Sequence, residues 1–274
     1  MRKGVTLIKT LKGHTKEVNS VFISPDGGTI VSGSNDKTIK IWSRKSGTLI
    51  GTIKSSFASG INSVFISPDG STIVSGSDNK SIKIWSLRDG SLIRTLEGHD
   101  KAVKSVCISP DGSTIVSGSF DNTIKVWSMN EGTLTRTLEG HNYMVKSVCI
   151  SPDGTTIVSG SLDKTIKKWC LREGILIRTL QGHTDGVNSV CISPDCSTII
   201  SGSLDNTIKL WSMKKGDLLR TLRSHTYGVN SVCISPDGST IISGSYDYTI
   251  KVWSVKEGTL IRTLDSHTSK AWSV

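Results

Sequence analysis

The sequence predicts an all-β fold built from one repeated four-stranded sheet. Three observations predict it: a repeat of fixed length, apolar residues at strand-like spacing, and turn signals between them. Six tryptophans mark the repeat and stand 43 and then 42 residues apart, at Trp42, Trp85, Trp127, Trp169, Trp211 and Trp253. Repetition at one period means that each unit is too small to bury its own apolar face, so neighbouring units must pack together.

The segment 98–139 is the clearest copy of the unit. Side chains in 103–109 and 123–127 fit a period of two, which is typical of strands, and both faces are partly apolar. Residues 109–112 read Ser-Pro-Asp-Gly and predict a tight turn, because proline fixes φ, aspartate bonds its own backbone and glycine accepts positive φ. Two further turns, at 120–122 and 130–132, make four strands per unit.

A twisted sheet that is apolar on both faces needs another sheet on each side, and a ring of sheets provides this. No linker or charge block interrupts the period, so one domain is expected over residues 1–274. The expected repeats span about 5–43, 48–86, 91–128, 133–170, 175–212 and 217–254, with a partial repeat at 259–274.

Each unit also carries a recurrent motif set, which in the third unit reads Gly98-His99, Ser117-Gly118-Ser119, Asp121 and Trp127. Together with the unit length, these motifs resemble the WD-repeat family of β-propellers over nearly the whole chain. The resemblance implies a β-propeller of four-stranded antiparallel blades. One departure recurs: the family's aspartate after tryptophan is replaced, at Ser43, Ser86, Ser128, Cys170, Ser212 and Ser254.

The resemblance further implies a hydrogen-bonded set of histidine, serine, aspartate and tryptophan inside each blade. The expected histidine and aspartate pairs are His14 and Asp36, His99 and Asp121, His141 and Asp163, His183 and Asp205, and His225 and Asp247. Either serine of each Ser-Gly-Ser could belong to the set. The second unit lacks it, because residues 55–57 replace the glycine-histidine and Asn79 stands at the aspartate position. We expect that blade to be the least stable.

Closure of the ring leaves two alternatives. Residues 6–11 and 259–264 both match the outer strand of a unit, so both compete for the outer edge of the sixth blade. We expect six blades with one of these strands displaced. The alternative is an incomplete seven-bladed ring, because Ser266-His267 opens a seventh unit that stops at Val274.

If the common residues build the scaffold, function is expected where the copies differ. Three columns vary: the residue before the turn aspartate, and the residues just before and just after the first apolar residue of the first strand. The resemblance implies that these columns face the narrow end of the central channel, where peptides commonly bind. The predicted partner-binding residues are Phe120, Leu162, Leu204, Tyr246, Met144, Lys104, Lys146, Asn188, Asn230, Asn19 and Asn35. The alternative is that Leu162 and Leu204 only cover the core.

The net charge of +10 suggests a second reading. Lysines recur on the third strand, at Lys40, Lys83, Lys125, Lys167, Lys209 and Lys251, and arginines on the outermost strand, at Arg94, Arg136, Arg178, Arg220 and Arg262. We interpret them as a solvated rim that discourages aggregation. The alternative function is binding of RNA or another acidic surface through this rim.

No phosphate loop, nucleophile elbow or HExxH motif is present, and the histidines follow the repeat. We therefore expect a non-enzymatic scaffold for a protein or peptide partner, with no catalytic residue, cofactor or metal, working alone or in a larger complex. A hydrolase is the remaining alternative. The four cysteines that share one repeat position are interpreted as buried small hydrophobes: Cys107, Cys149, Cys191 and Cys233. Without a signal peptide or spanning segment, we expect a soluble intracellular protein, cytoplasmic or nuclear.

Overall fold

The computed structural model describes residues 8–54, 59–264 and 273–274. They form six four-stranded antiparallel sheets, called blades 1 to 6 here. Blades 1 to 3 are β1 (Val18–Ile23), β2 (Thr29–Ser34), β3 (Thr38–Ser43), β4 (Leu49–Lys54); β5 (Ile61–Ile66), β6 (Thr72–Ser77), β7 (Ile82–Ser86), β8 (Leu92–Leu96); and β9 (Val103–Ile108), β10 (Thr114–Ser119), β11 (Ile124–Ser128), β12 (Leu134–Leu138).

Blades 4 to 6 repeat the pattern. They are β13 (Val145–Ile150), β14 (Thr156–Ser161), β15 (Ile166–Cys170), β16 (Leu176–Leu180); β17 (Val187–Ile192), β18 (Thr198–Ser203), β19 (Thr207–Ser212), β20 (Leu218–Arg223); and β21 (Val229–Ile234), β22 (Thr240–Ser245), β23 (Ile250–Ser254), β24 (Leu260–Leu264). The prediction of an all-β propeller with six blades of four antiparallel strands is confirmed.

The Ser-Pro-Asp-Gly turns form as predicted. In blade 3, Ser109 Oγ accepts the N–H of Thr114 at 3.0 Å, and Asp111 accepts the N–H of Ser113 at 3.0 Å. Gly112 adopts a φ of 73°. Cys196 takes the same place in blade 5 with a φ of 57°, a left-handed conformation that a side chain with a Cβ adopts at a cost.

The first strand of each blade lines the axis, and a repeated hydrogen bond joins one blade to the next. Val64 in blade 2 donates its N–H to Ser20 Oγ in blade 1 at 3.1 Å. Val106 donates to Ser63 in the same way, and the bond recurs at the junctions up to blade 6. The inner strands are therefore held in a fixed register around the axis.

The hydrophobic core lies between blades rather than within one. Five clusters of buried residues each join two successive blades, from blades 1 and 2 to blades 5 and 6. In blades 1 to 5 the glycine of Ser-Gly-Ser permits the close approach: a Cβ on Gly118 would lie 2.7 Å from Val145 Cγ1 of the next blade. This packing explains why one unit cannot fold alone.

A hydrogen-bonded set lies inside five blades, as the resemblance implies. In blade 3, His99 Nδ1 lies 2.6 Å from Asp121, its Nε2 lies 2.8 Å from Ser117 Oγ, and Trp127 donates to the same Oγ at 2.9 Å. The first serine of Ser-Gly-Ser is therefore the participant. In blade 2 the bond from Trp85 to Ser75 remains, at 2.8 Å.

The third-strand lysines do not form a solvated rim: all six are buried, and five donate to threonines of the outer strand, as Lys40 does to Thr52 Oγ1 at 3.1 Å. That part of the rim prediction is wrong, because the apolar lysine stems pack inside the blade.

The outer edge of blade 6 is occupied by β24, which pairs with β23. Of the competing segment 6–11, residues 8–11 lie in no strand, and residues 6–7 fall outside the described ranges.

Candidate partner-binding site at the channel mouth

The three variable columns meet at one end of the axis. The residue before the turn aspartate donates its N–H to the residue before the first strand, as Phe120 does to Ala102 O and Leu162 to Met144 O, both at 3.0 Å. Side chains complete the link in blade 1, where Asn19 donates to Asn35 Oδ1 at 2.7 Å. The turn between the second and third strands therefore stands beside the start of the first strand at the channel mouth.

Four residues form what we call the mouth arc: Phe120, Leu162, Leu204 and Tyr246. All four are half-buried, neither sealed in the core nor fully exposed. Leu162 and Leu204 reach toward the next blade: a Cβ on Gly186 would lie 2.6 Å from Leu162 Cδ2. A Cβ on Gly228 would lie 3.0 Å from Leu204 Cδ2 and 3.2 Å from Tyr246 Cδ2. The arc is thus continuous across the junctions of blades 4 to 6.

The mouth is polar over blades 1 and 2. Asn35 and Asp78 stand there at the column that carries the mouth arc elsewhere. Asp78 receives hydrogen bonds from Asn62 at 2.7 Å and from Lys104 at 2.8 Å, the latter an ion pair. The charge of Lys104 is thereby balanced by Asp78, at the boundary between the polar part of the mouth over blades 1 and 2 and the mouth arc.

Two ammonium groups lie close to the Phe120 ring. Lys104 Nζ is 4.7 Å from the centre of the Phe120 ring, and Lys146 Nζ is 5.5 Å from it. Lys104 also donates to Asn62 Oδ1 at 3.0 Å, whereas no carboxylate pairs with Lys146 among the described residues. Burial, and then repulsion from Lys104, lowers the pKa of Lys146 to about 8. The site therefore holds a partly desolvated cation beside an aromatic ring.

Lys104 and Lys146 lie in the column just after the first apolar residue of the first strand, and asparagines in that column connect neighbouring blades by hydrogen bonds. Asn19 donates to Ile61 O at 2.9 Å, Asn62 to Val103 O at 3.0 Å, and Asn188 to Val229 O at 3.1 Å. Asn188 is buried and Asn230 is half-buried. With Lys104, Lys146 and the serines that follow this column, they line an axial cavity of about 240 Å³. Asn19 and Asn188 therefore hold the ring as well as lining the mouth.

Three exposed tyrosines were not among the partner-binding residues predicted from the sequence. Tyr143 is 50% exposed, Tyr227 is 64% exposed and Tyr248 is 49% exposed. Tyr143 and Tyr227 directly precede the column of Met144 and Gly228, and Tyr248 directly follows the turn aspartate. Reading the alignment of repeats one column further on each side would have found them, because those columns also vary between copies.

The chemistry available at the mouth is apolar contact, aromatic stacking and attraction for an anion. Among the described residues, no group of three or more histidine, cysteine, aspartate or glutamate side chains is arranged to hold a metal ion. Within the same ranges, no helix is long and apolar enough to cross a bilayer. A half-buried apolar surface with a polar border is typical of protein-binding sites.

Comparison with known proteins supports the repeat assignment. The family model described as "WD domain, G-beta repeat" matches six segments, which together cover well over half of the chain: residues 5–43, 47–86, 90–128, 132–170, 174–212 and 216–254.

Similar proteins match over about one repeat each. A WD repeat-containing protein of Synechocystis, described as uncharacterized, is 57% identical over 47 residues, which is 17% of this chain and 14% of that protein. A ribosome biogenesis protein BOP1 homolog of Drosophila grimshawi is 51% identical over 45 residues, 16% of this chain and 6% of that protein. Vegetative incompatibility protein HET-E-1 of Podospora anserina is 58% identical over 40 residues, 15% and 3% respectively. The aligned part is thus a small fraction of each relative.

Proposed function

Because the chain belongs to the WD40 family, whose propellers bind protein partners and are generally non-catalytic scaffolds, we propose that it binds a peptide or protein at the channel mouth. The observation that carries this proposal is the half-buried mouth arc over blades 3 to 6. A scaffold built from near-identical copies has no structural reason to place Phe120 and Tyr246 where other copies carry asparagine or aspartate. Aromatic residues also supply much of the energy of protein interfaces.

The partner would present an apolar group next to an acidic one. The apolar group fits the mouth arc, and a carboxylate placed near Lys146 would neutralise a cation that has already lost part of its hydration. The two charges near Phe120 favour an anionic partner over a cationic one. Asp78 holds Lys104 by an ion pair, so Lys146 is the cation that remains for the partner.

The test is affinity capture with three versions of the protein. The parent is compared with the double variant Phe120→Ser plus Tyr246→Ser, and captured proteins are identified by mass spectrometry. The matched control is Leu134→Ser plus Ile175→Ser, which removes two apolar side chains that are 42% and 59% exposed away from the mouth. We expect the control to recover the same partner as the parent and the mouth variant to lose it.

Equal recovery by the mouth variant and the control, with both folded by circular dichroism, would remove this face from consideration. The other candidates predict different results. Binding of RNA through the outer-strand arginines would persist in both variants and weaken with salt. The absence of enzymatic activity stays a prediction of the sequence, with a hydrolase as its alternative, and placement in the cytoplasm or nucleus likewise stays a prediction.

The short matches to ribosome biogenesis and incompatibility proteins support only the repeat. Each spans about the length of one blade, which is the part that all members of the family share. The residues of the mouth arc differ from blade to blade within this chain, so a single-repeat match carries no information on which partner they recognise.

A further inference from the structure

The serines that line the axial cavity have hydroxyl protons to donate. Each stands two places after the first apolar residue of the first strand, and its Oγ accepts a backbone N–H of the next blade, as Ser63 does from Val106 and Ser147 from Val190, both at 3.1 Å. A hydroxyl that accepts one hydrogen bond still carries a proton. For Ser63, Ser147 and Ser189, no acceptor for that proton is found among the described residues. These three hydroxyls are therefore available to a ligand in the cavity.

Two ammonium groups lie at the wall of the same cavity. Lys104 donates to Asn62 Oδ1 at 3.0 Å and to Asp78 Oδ1 at 2.8 Å, so its charge is balanced. Lys146 has no hydrogen-bond acceptor and no carboxylate partner in the part of the chain that the structure describes; its Nζ lies 5.5 Å from the centre of the Phe120 ring. The cavity therefore holds one ammonium ion whose protons lack an acceptor and whose charge lacks a counter-ion.

Lysine is not needed at this column to hold the blades together. In blades 1, 2 and 5 an asparagine stands there and donates to a carbonyl of the next blade, as Asn188 does to Val229 O at 3.1 Å. Lysine replaces asparagine only in blades 3 and 4, where burial, and then repulsion from Lys104, lowers the pKa of Lys146 to about 8. Two like charges in adjacent blades cost stability that an anion near them would restore.

The rest of the cavity wall carries no negative charge. Its described residues are serines, asparagines and the two lysines, with no carboxylate among them. The cavity volume is about 240 Å³, which leaves room for a polyatomic ion, since one water molecule occupies about 30 Å³ in the liquid. A wall rich in hydrogen-bond donors, with one cation that lacks a counter-ion, favours an anion with several oxygen atoms over a monatomic one.

We propose that the axial cavity binds an oxyanion of the size of phosphate, in contact with Lys146 and with the hydroxyls of Ser147 and Ser189. The ammonium ion supplies charge-assisted hydrogen bonds, and the hydroxyls supply further donors from two neighbouring blades. The inference goes beyond the proposed function, because the oxyanion binds to the chain alone. An acidic partner would use the same ammonium ion, so the oxyanion should weaken the binding of such a partner.

The test is isothermal titration calorimetry of the full chain with inorganic phosphate, in about 100 mM sodium chloride so that exposed lysines are screened. We expect saturable binding of one phosphate per chain despite the excess of chloride. The same titration with N-acetyl-phosphoserine amide separates two sources of the phosphate group. Tighter binding of inorganic phosphate identifies a free ion, and tighter binding of the phosphoserine derivative identifies a phosphorylated side chain. Either order supports the site, and the absence of saturable binding by both compounds overturns it.

Two variants locate the bound phosphate. Lys146→Asn places at this column the residue that blades 1, 2 and 5 carry, so it is compatible with the fold, and we expect about tenfold weaker phosphate binding. Lys101→Asn removes an exposed positive charge of blade 3 and should leave the affinity unchanged. Equal losses in the two variants, or full affinity in Lys146→Asn, would contradict the proposal. Because no partner takes part, the result is independent of the capture experiment.

Discussion

Trp127 donates its indole N–H to Ser117 Oγ over 2.9 Å, and the same Oγ lies 2.8 Å from His99 Nε2, so this serine joins the tryptophan to the histidine by hydrogen bonds. His99 Nδ1 faces Asp121, so the imidazole donates there and its Nε2 accepts the hydroxyl proton of Ser117. One hydroxyl therefore satisfies two buried groups at once. Removing it leaves the indole N–H of Trp127 and Nε2 of His99 without this hydrogen bond, although Nδ1 of His99 keeps Asp121.

Ser117→Ala should lower the free energy of unfolding by about 1 to 3 kcal/mol, because buried polar groups left unsatisfied are costly. Ser75→Ala is the matched control: Ser75 accepts from Trp85 in blade 2, where Asn79 stands in place of the aspartate. We expect Ser75→Ala to lower the free energy of unfolding less than Ser117→Ala does. Urea denaturation followed by tryptophan fluorescence measures both, and equal losses would show that the histidine bond contributes nothing.

The protein should become less stable in acid. Burial alone would raise the pKa of Asp36, but hydrogen bonds from Thr38, Thr15 and His14 outweigh it and lower the pKa to about 2. The unfolded chain binds a proton near the ordinary pKa of 3.8, so this stabilisation is present above that value and is lost as the pH falls toward 2. Asp247 behaves alike, with a pKa of about 2.

Protonation of His225 lowers the stability at a higher pH than protonation of the two aspartates does. Burial lowers its pKa below the ordinary 6.5, so the unfolded chain takes up a proton before the folded chain does as the pH falls. We therefore expect the melting temperature to decrease first below about pH 6.5 and more steeply below about pH 4. A melting temperature that stays constant from pH 7 to pH 3 would contradict both assignments.

Cys196→Gly should stabilise the protein. Cys196 holds a φ of 57° in a turn where blades 1 to 4 and blade 6 carry glycine, so relief of this strain should contribute about 1 kcal/mol. For a domain of this size, this corresponds to an increase of about 2 to 4 °C in melting temperature. Cys196→Ala retains the Cβ and should show no comparable gain. A similar increase in both variants would point to loss of the thiol instead.

Lys146 should make partner binding depend on pH. Its pKa of about 8 means that the ammonium ion loses its charge as the pH rises through that value, and an acidic partner would then bind more weakly. Binding of the captured partner, measured by calorimetry, should weaken several-fold between pH 7 and pH 9. Lys146→Arg should abolish this dependence, because arginine stays charged.

Lys101→Met serves as the control for loss of charge. Lys101 is exposed at the start of blade 3, so its removal should affect affinity far less than Lys146→Met does. If the two substitutions weaken binding equally at pH 7, the attraction is a general effect of the positive surface and Lys146 has no specific part in it.

The structural roles of the repeated residues depend mainly on contacts that are close in the sequence. Trp127 and its counterparts, the turn at 109–112 and the glycine of Ser-Gly-Ser act through neighbours within one unit or the next, so their spacing predicted strands, turns and blades correctly. The choice of the first serine could not be predicted, because both serines are equivalent in the sequence. Burial of Lys40 and its counterparts was missed, since composition treats lysine as a surface residue.

The local pattern of the sequence was sufficient for the blade, because its turns and alternating strands depend on residues less than about 42 positions apart. Relations between distant residues had to come from the folded ring. These are the position of Ser273 between Ser231 and Val21, the contact of Lys9 with blade 1, and the exposure of Ile23. Each depends on how the angles between successive blades add up around the axis, a sum of small packing effects that no single repeat contains.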